Sequence, residues 1–443
     1  MSTRLAHVAH SAFRHINLDA LAPRRIGTLV SCQGQFLEAA AFPYAVGTAA
    51  KVDRSGGGFV TGEVVGFRGN LSIIQSFSQH ASVAAGAFVF PDGRHDEIGC
   101  GDGLLGRVID AHSAPLDGRP LANCTESWPL AGVASNPLAR GSVKRPIDCG
   151  VRAINGLLTM GEGQRVAIIA GSGVGKSVLM GQILAGIDAD IIVTGLIGER
   201  AREVSDFIGS KMTPRIAAKS VVVAVAADHP PLLRLRATMR ATAIAEYFRA
   251  RGKKVLLLID SLTRVAHAQR EIGLALGEPP TMKGYTPSSL ALIPQLAERA
   301  GIDSRTGGSI TAIYTVLADG GDLDDPVVDA TRAIVDGHII LSRELAENGV
   351  FPAIDIARSL SRVMPDIVDS EHLAAAAQFR RLWAAYEMNR DLMLMGAYAA
   401  GNDAVLDAAI SAHPEMLAYV SQSVNQSVEF PESRNSLVQG FGL

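Results

Sequence analysis

The sequence predicts an α/β protein whose core is a parallel sheet, with a small β-barrel domain before it and a helical domain after it. Three patterns support this fold class. Short β-rich runs cut by Gly, Pro and Asn fill the predicted barrel domain, residues 25–95. Apolar runs alternate with helical stretches over residues 151–365, within a core that spans residues 96–365 when its connector is included. Strand patterns disappear in residues 366–443. The first pattern is typical of a small barrel, the second of buried parallel strands and the third of packed helices.

The composition is that of a globular protein, with 443 residues, 48% hydrophobic and 19% charged. A net charge of −3 gives no basic footprint, so we expect no nucleic-acid partner. No run of about 18 apolar residues occurs, and the first 20 residues lack the apolar segment of a signal peptide, which predicts a cytoplasmic protein. The four cysteines form no C-x-x-C pair, so a disulfide framework or a zinc site is not expected.

The N-terminal part divides into a lead and a barrel. Residues 1–24 carry Leu5, Val8, Phe13 and Ile16 at about helical spacing, which fits either a docking helix or a frayed terminus. The barrel is predicted from the runs GTLVSC, QFLEAAAF, GFVTGEVVGF and NLSIIQSF.

The core is predicted from six apolar runs, RVAIIAG, DIIVTGLIG, SVVVAVA, KVLLLID, SITAIYTV and HIILS. Runs that are apolar almost throughout are typical of parallel strands with both faces covered. Before them, residues 92–150 have the mixed, proline-punctuated pattern of a connector. After them, HLAAAAQFRRLWAAYEMNRDLMLMGAYAAG begins an alanine-rich helical segment.

A phosphate-binding loop is predicted at AGSGVGKS, between the strand RVAIIA and a helical run. The predicted nucleotide-binding residues are Ala170, Gly171, Ser172, Gly173, Val174, Gly175, Lys176, Ser177 and Val178. In such a loop the backbone N–H groups face phosphate oxygens, Lys176 reaches the β- and γ-phosphates, and Ser177 supplies a hydroxyl to Mg²⁺. Ala170 stands where glycine is usual, and Lys176 stands where a dinucleotide-binding G-x-G-x-x-G loop needs its third glycine.

Carboxylates follow two other predicted strands. KVLLLID ends in Asp260, at the strand end where α/β sheets bind ligands, so Asp260 is a candidate to hold Mg²⁺ through its water shell. DIIVTGLIG runs into Glu199 and Arg200. Glu199 is a candidate to orient the attacking water and accept its proton, with Arg200 keeping it ionised. A surface ion pair is the open alternative for these two residues.

These motifs together resemble the flagellar and type III secretion export ATPase family, which is related to the catalytic subunits of rotary F- and V-type ATPases. The resemblance extends through LIGERAREVSDFI, LLLIDSLTRVAHAQREIGLALGEPP and the run from GGSITAIYTV to SLSRVM. It is dense from Gly101 to Met364 and thin before residue 95. It implies a RecA-like P-loop core that hydrolyses Mg-ATP to energise or prime protein export.

The resemblance also implies roles for single residues. Lys176 and Ser177 match the phosphate and magnesium residues, and Asp260 matches the aspartate of the magnesium shell. Glu199 matches the catalytic glutamate, and Glu203 matches a second carboxylate on the water shell of the metal.

Further matches concern arginines and aromatic rings. Arg264 matches an arginine near the γ-phosphate, and Arg362 matches the arginine finger that enters the site of the neighbouring subunit. Phe351 matches the ring that stacks on adenine, and Tyr398 is a candidate to close the other side of the base. Arg358 departs from the family, which has a small or uncharged residue there. It is either a solvated interface charge or a group that crowds or assists the finger.

The implied assembly is a homo-oligomer, expected to be a hexamer, at the membrane-bound export apparatus. The resemblance places the loop of residues 273–290 in a central channel, where a stalk-like coiled-coil protein would lie; an ordinary connector is the alternative. It assigns chaperone-bound export substrates to residues 366–443, a stator-like regulatory protein to the N-terminal lead, and a membrane export gate as a further partner.

Other functions remain as alternatives at this stage. The shared motifs do not separate a flagellar apparatus from an injectisome, and we favour the flagellar one. A rotary ATP synthase catalytic subunit would divide Glu199 and Arg362 between two chains, whereas this chain carries both. A hexameric RNA helicase would need a basic or aromatic strand-binding N-domain, and residues 25–91 hold few cations. A degenerate nucleotide-binding subunit would not need Glu199.

Overall fold

In the computed structural model of the protein, residues 24–79, 81–94, 96–133 and 136–442 are described. They form two compact units that divide between residues 95 and 96. The predicted N-terminal lead lies outside the described residues, apart from Arg24. None of the described helices is both long and apolar enough to cross a membrane.

The first unit is a closed antiparallel barrel, which confirms the predicted β-barrel. Its strands are β1 (Gly27–Gln33), β2 (Phe36–Ala40), β3 (Thr48–Asp53), β4 (Phe59–Arg68), β5 (Leu71–Ser76) and β6 (Phe88–Arg94), closed in the order β1-β2-β5-β4-β3-β6. Alternate inward side chains such as Leu37, Val52 and Ile74 fill its interior. Strands β3 and β6 were not among the strands predicted from the sequence, because TAAKVD and FVFPDGR carry charges, Pro and Gly within short strands.

The second unit is built on a ten-stranded sheet, mostly parallel, as the fold class requires. The strands of the sheet are β8 (Arg107–Ile109), β10 (Arg140–Gly141), β11 (Arg165–Ala170), β12 (Ile191–Glu199), β13 (Ser220–Ala226), β14 (Lys254–Asp260), β15 (Gly301–Asp303), β16 (Ser309–Leu317), β17 (Gly337–Leu341) and β18 (Leu360–Ser361). The main order is β18-β17-β11-β16-β14-β12-β13-β8; off this path, β15 pairs with β16, and β10 pairs with β15. All six predicted apolar runs are strands of this sheet.

Helices cover the sheet and form the C-terminal part of the unit. They are α1 (Arg152–Leu157), α2 (Lys176–Gly186), α3 (Ala201–Lys211), α4 (Pro214–Ala217), α5 (Pro231–Ala250), α6 (Leu262–Leu276), α7 (Pro287–Ala297), α8 (Pro326–Ile334), α9 (Arg343–Glu347), α10 (Met364–Ile367), α11 (Ser370–Leu394), α12 (Ala404–Val420) and α13 (Phe430–Phe441).

The C-terminal helices share a core with the sheet. Phe379 packs against Trp383, Tyr419 and Phe441, with ring centroids 5.9, 5.6 and 4.9 Å away. These rings belong to the same buried cluster as residues of α1 such as Ile154. The helical end is therefore joined to the sheet by apolar contact. The predicted boundary at residues 365/366 stays a prediction.

The connector is more ordered than its sequence indicates. Strands β7 (Glu97–Cys100) and β9 (Glu126–Pro129) pair with each other, and β8 joins the edge of the main sheet beside β13. All three were missed because three- and four-residue strands flanked by Gly and Pro carry too little periodicity to detect.

A buried ion pair between Glu246 and Arg299 links the connector to the core of this unit. Glu246 on α5 is only 2% exposed, and Arg299 donates to both of its oxygens, over 2.9 and 2.8 Å. Trp128 Nε1 also approaches Glu246, at 3.4 Å. The pair joins three segments that are distant in sequence.

Breaking that pair should destabilise the protein strongly. In an Arg299→Met variant, Glu246 stays buried without its cation, which typically costs about 3–5 kcal/mol of unfolding free energy. Urea denaturation of the full chain measures the loss. Arg202→Gln is the control, because it removes only an exposed pair with Asp206 at 3.6 Å and should change stability by less than about 0.5 kcal/mol. A loss below about 1 kcal/mol in Arg299→Met would contradict the structural role given to the pair.

Candidate functional site

The predicted phosphate loop lies between β11 and α2. Gly173 and Gly175 take left-handed φ values of 79° and 92°, which L side chains rarely adopt, so the turn requires glycine there. Lys176 is the first residue of α2, and the helix begins with its free N–H groups beside the loop. This arrangement presents backbone donors and the positive end of a helix dipole to an anion.

Lys176 brings the loop together with both predicted carboxylates. Its ammonium forms an ion pair with Asp260 at the end of β14, and lies 3.7 Å from Glu199 Oε1 at the end of β12. Strands β14 and β12 are neighbours, and two strands separate β12 from β11. Because all these strands are parallel, their carboxyl ends share one edge of the sheet. Phosphate oxygens entering the loop would compete with the two carboxylates for the same ammonium.

Glu199 is placed by a bulge at the end of its strand. Gly198 has φ 69°, and the register between β12 and β13 shifts between Ile197 and Glu199. A Cβ on Gly198 would lie 3.0 Å from the Cβ of Arg264, so the close approach also favours glycine. Bulges of this kind re-aim side chains next to active sites.

The environment of Glu199 favours its protonated form. Burial, and next the charge of Asp260, raise the pKa of Glu199 to about 7, while Lys176 opposes the shift. Glu199 Oε1 is buried and has no hydrogen-bond partner among the described residues. A carboxylate poised near neutral pH, with a free acceptor atom, suits a general base.

A cavity of about 410 Å³ opens in front of the loop. Its lining residues are Gly171, Ser172, Gly173, Gly175, Lys176, Ser177, Val178, Glu199, Arg200, Glu203, Arg264, Leu317 and Ala318. Most of the predicted site residues therefore meet at one place. Arg264, near the start of α6, has a buried Nε without a partner in the described part of the chain.

The interpretation that Arg200 keeps Glu199 ionised is wrong for this structure. The Arg200 side chain is 84% exposed and lies 3.7 Å from Glu203 rather than against Glu199. Water screens such an exposed charge, and the pKa of Glu199 is raised instead of lowered.

The residues present fit a magnesium ion. Ser177, Asp260, Glu199 and Glu203 offer hard oxygen ligands, and the buried Glu199 Oε1 lacks a donor. Within the described ranges, no group of three or more His, Cys, Asp or Glu side chains could hold a metal by itself. Mg²⁺ typically keeps several waters and shares its shell with substrate phosphates, so a few protein oxygens can hold it.

The two predicted adenine-binding rings are placed differently. Two ring carbons of Phe351 lie 3.7 Å from the position that a Cβ on Gly175 would take, and Phe351 is 41% exposed. An exposed ring beside the loop is available for stacking on a base. Tyr398 is not among the residues that line the cavity, and its hydroxyl donates to Asp407 Oδ1 over 2.8 Å. The structure therefore does not bring Tyr398 to the site.

Arg362 lies at the level of the sheet where the parallel strands begin, whereas the phosphate loop lies at their carboxyl ends. Ser361 pairs with Gly337, which pairs with Val166 near the start of β11, whereas the loop follows Ala170 at its end. Four residues of strand separate the two levels by about 13 Å. Arg362 Nη2 donates to the carbonyl of Arg332 over 3.2 Å, and Arg362 is exposed.

Sequence reasoning missed Thr315 as a supporting residue. Its hydroxyl donates to Asp260 Oδ1 over 2.5 Å, in a buried position on β16. Strand β16 lies between the loop strand and β14, so Thr315 orients the carboxylate from the neighbouring strand. The signal available was a lone hydroxyl inside the apolar run SITAIYTV, which by itself indicates only a buried strand.

Comparison with families of known proteins matches two parts of the chain. The model of the ATP synthase alpha/beta family, nucleotide-binding domain, matches residues 150–361, and the model of the T3SS EscN ATPase C-terminal domain matches residues 368–439.

Whole-chain comparisons agree. The flagellum-specific ATP synthase of Pseudomonas aeruginosa is 48% identical, over 93% of this chain and 92% of its own length. The type 3 secretion system ATPase of Xanthomonas euvesicatoria is 44% identical, over 91% of each chain. The assembled ATPase EscN from the enteropathogenic E. coli type III secretion system is 40% identical, with a TM-score of 0.89, and the match covers 94% of this chain and all of that one. A structure of EscN in complex with its central stalk EscO has a TM-score of 0.84, with 40% identity and the same coverage.

Removing the hydroxyl of Thr315 should weaken magnesium-dependent nucleotide binding. Thr315→Val leaves the shape of the strand but releases Asp260, and loss of such supporting groups typically costs 10- to 100-fold in metal affinity. Titration of Mg²⁺ against the nucleotide-bound protein measures the change. Thr315→Ser keeps the hydroxyl and should bind nearly as the wild type does; equal affinities for Thr315→Val and wild type would contradict the role of Thr315.

Binding of Mg-ADP near pH 7 should release protons from Glu199. With its pKa raised to about 7, Glu199 is about half protonated there, and a nearby divalent cation favours the carboxylate. We expect release of up to about half a proton per site, measured calorimetrically in two buffers of different ionisation enthalpy. Glu199→Gln cannot release that proton. The same release in both proteins would show that Glu199 does not titrate in this range.

Proposed function

Since this chain belongs to the family of flagellum-specific ATP synthases and type III secretion ATPases, we propose that it hydrolyses Mg-ATP in a ring of identical subunits and thereby energises or primes protein export by a flagellar apparatus. The observation that carries the proposal is the division of the site. Lys176, Asp260 and Glu199 meet at one edge of the sheet, while Arg362 leaves from the other edge of the same chain.

The chemistry of the first half follows from its side chains. The loop N–H groups and Lys176 bind the β- and γ-phosphates and fix the orientation of the terminal phosphoryl group. Ser177 would hold Mg²⁺ with its hydroxyl, and Asp260 and Glu203 would hold it through water, where the ion would supply positive charge against the phosphates. Glu199 orients a water for attack and accepts its proton at the carboxylate, and its burial keeps bulk water from competing for that position.

The second half comes from a neighbouring copy. Arg264 supplies one guanidinium from within the chain, lining the cavity. Arg362 supplies the other in trans. It lies at the level where the parallel strands begin, whereas the cavity of its own chain lies at their carboxyl ends. An arginine finger of this kind is typically worth about 10³–10⁵ in rate.

Assembly with a stalk is supported by the relatives and by one surface. EscN has been solved as an assembled ATPase and with its central stalk. In this chain, part of the predicted channel loop is helical, and the rest turns through Met282–Gly284, where Met282 is 71% exposed. An exposed apolar tip at this loop is available to a coiled-coil partner, and we assign the ring a hexameric state.

The remaining partners follow from the same proposal. On α11, Met388 and Leu394 are 78% and 77% exposed, which supports the docking of export chaperones and their substrates at the helical end. A stator-like protein would take the N-terminal lead, outside the described residues. The protein would act in the cytoplasm, bound peripherally to the inner-membrane export gate.

An injectisome is the second candidate, supported by the 44% identity to the Xanthomonas euvesicatoria protein. We favour the flagellar apparatus because the Pseudomonas aeruginosa flagellar relative is more similar, at 48%. Deletion of the gene in its native host separates the two. Loss of filaments and swimming that wild type restores and Glu199→Gln does not supports the flagellar function. Normal swimming with loss of secreted effector proteins would replace it with the injectisome.

Complementary inactive variants should restore activity when mixed. Glu199→Gln and Arg362→Ala each disable every site alone, but in a random ring about one site in four combines an intact glutamate with an intact arginine. ATP turnover of the equimolar mixture should therefore recover to about a quarter of wild type. Mixing Glu199→Gln with Lys176→Ala is the control, because both defects fall on the same half of a site where one chain supplies both groups. No recovery in the first mixture would contradict the shared site.

A further inference from the structure

Three side chains face outward together at the edge of the sheet. The side chain of Arg358 is 68% exposed and that of Leu360 45%, and Arg362 is exposed as well. The residues between them, Ser359 and Ser361, are buried. Exposed and buried residues alternate along residues 358–362, so Arg358, Leu360 and Arg362 lie on one exposed side of this segment. We call these three residues the edge ridge.

The two buried serines hold the ridge in place. Ser359 Oγ donates to the carbonyl of Asp355 over 2.5 Å and accepts from the backbone N–H of Ile340 over 2.9 Å. Ser361 Oγ donates to the carbonyl of Thr159 over 2.8 Å. These bonds fix the backbone on the inner side, so the outward side chains keep a constant spacing. Arg358 ends the turn that precedes β18, and Arg362 follows that strand directly.

The ridge is cationic and only weakly neutralised within its own chain. The Nε of Arg358 lies 3.7 Å from Asp355, beyond hydrogen-bond distance. After burial, the nearby charges of Arg332 and Arg362 lower the pKa of His338, whose Nε2 is bonded to the carbonyl of Arg358. Positive charge therefore accumulates at this edge.

We propose that the edge ridge is a contact surface for a second copy of this chain, in which Arg358 pairs with a carboxylate at the rim of the cavity that Arg362 enters. The inference rests on the proposed function, because it takes the trans role of Arg362 as given. Since Arg358 and Leu360 face the same way as Arg362, the copy that receives Arg362 also meets them.

The rim of that cavity offers suitable charge. On α3, Glu203 and Asp206 have side chains that are 52% and 67% exposed. Both line the smaller cavity of about 200 Å³ that shares Ser177 and Glu199 with the nucleotide cavity. Asp206 is the better partner for Arg358, because its contact with Arg202 is long, 3.6 Å, and both of those side chains are exposed.

The two arginines then have separable effects. Arg362 acts on the rate, because it meets the phosphates. Arg358 acts on the affinity between subunits, and an exposed pair contributes about a two- to fivefold change in an association constant. Leu360 between them supplies apolar contact.

The test compares Arg358→Ala and Arg362→Ala with wild type in the full chain. ATP turnover per subunit is measured against protein concentration, together with the mass of the oligomer. We expect Arg358→Ala to raise the half-maximal concentration about two- to fivefold, to leave turnover at saturating protein within about twofold, and to reduce the salt sensitivity of assembly. Arg305→Ala is the matched control, because Arg305 is also exposed and also pairs with an aspartate of its own turn, Asp303. It should behave as wild type.

A charge exchange tests the partner residue. Asp206→Arg should weaken assembly, and Arg358→Asp combined with it should restore assembly to near the wild-type concentration. If Arg362→Ala abolishes turnover while Arg358→Ala leaves assembly unchanged, the edge ridge is overturned and the proposed function stands. If Arg362→Ala keeps normal turnover, the trans finger fails, and the ridge loses its premise.

Discussion

Everything at the site depends on one electrostatic arrangement, in which the single ammonium of Lys176 faces two buried carboxylates, Asp260 and Glu199. The parallel strands β14 and β12 bring those carboxylates to one end of the sheet. Lys176, at the end of the phosphate loop after β11, reaches both of them. Burial, and next the charge of Asp260, raise the pKa of Glu199 to about 7 against the opposing charge of Lys176. The same two carboxylates also offer negative charge to Mg²⁺. Binding of nucleotide, binding of the metal and protonation of Glu199 are therefore coupled at one site.

The same sheet topology keeps Arg362 away from the phosphate loop of its own chain. Arg362 follows a strand that runs antiparallel to β17, and this places it at the level where the loop strand begins. An arginine there faces outward beside Leu360 and Arg358. Under the proposed trans role of Arg362, assembly is a chemical requirement as well as a structural one, because the finger's charge comes from a neighbour. Residues that set subunit affinity and residues that set the rate can lie on one edge without being the same residues.

The sequence predicted the parts of the site whose chemistry is local. The phosphate loop and Asp260 are recognisable because strand, turn and helix patterns surround them directly. Arg362 was found only through the family resemblance, because an arginine after SLS says little alone. Glu199 was a candidate from its strand-end position, and the resemblance separated it from an ordinary surface ion pair with Arg200. Thr315 was missed because its importance arises only when β16 lies beside β14. Arg200 was assigned a wrong effect because proximity in sequence does not give proximity of charge, and the strands β3, β6 and β8 were too short or too polar to show periodicity.

The claim that each active site is shared between two copies is tested most directly by ATP turnover per subunit across a dilution series that passes through dissociation of the ring. With Arg362 supplied in trans, turnover per subunit should fall by about 10³-fold or more as the oligomer separates, while Mg-nucleotide binding by the monomer persists. A monomer at high dilution that hydrolyses ATP as fast per subunit as the oligomer would contradict the shared site.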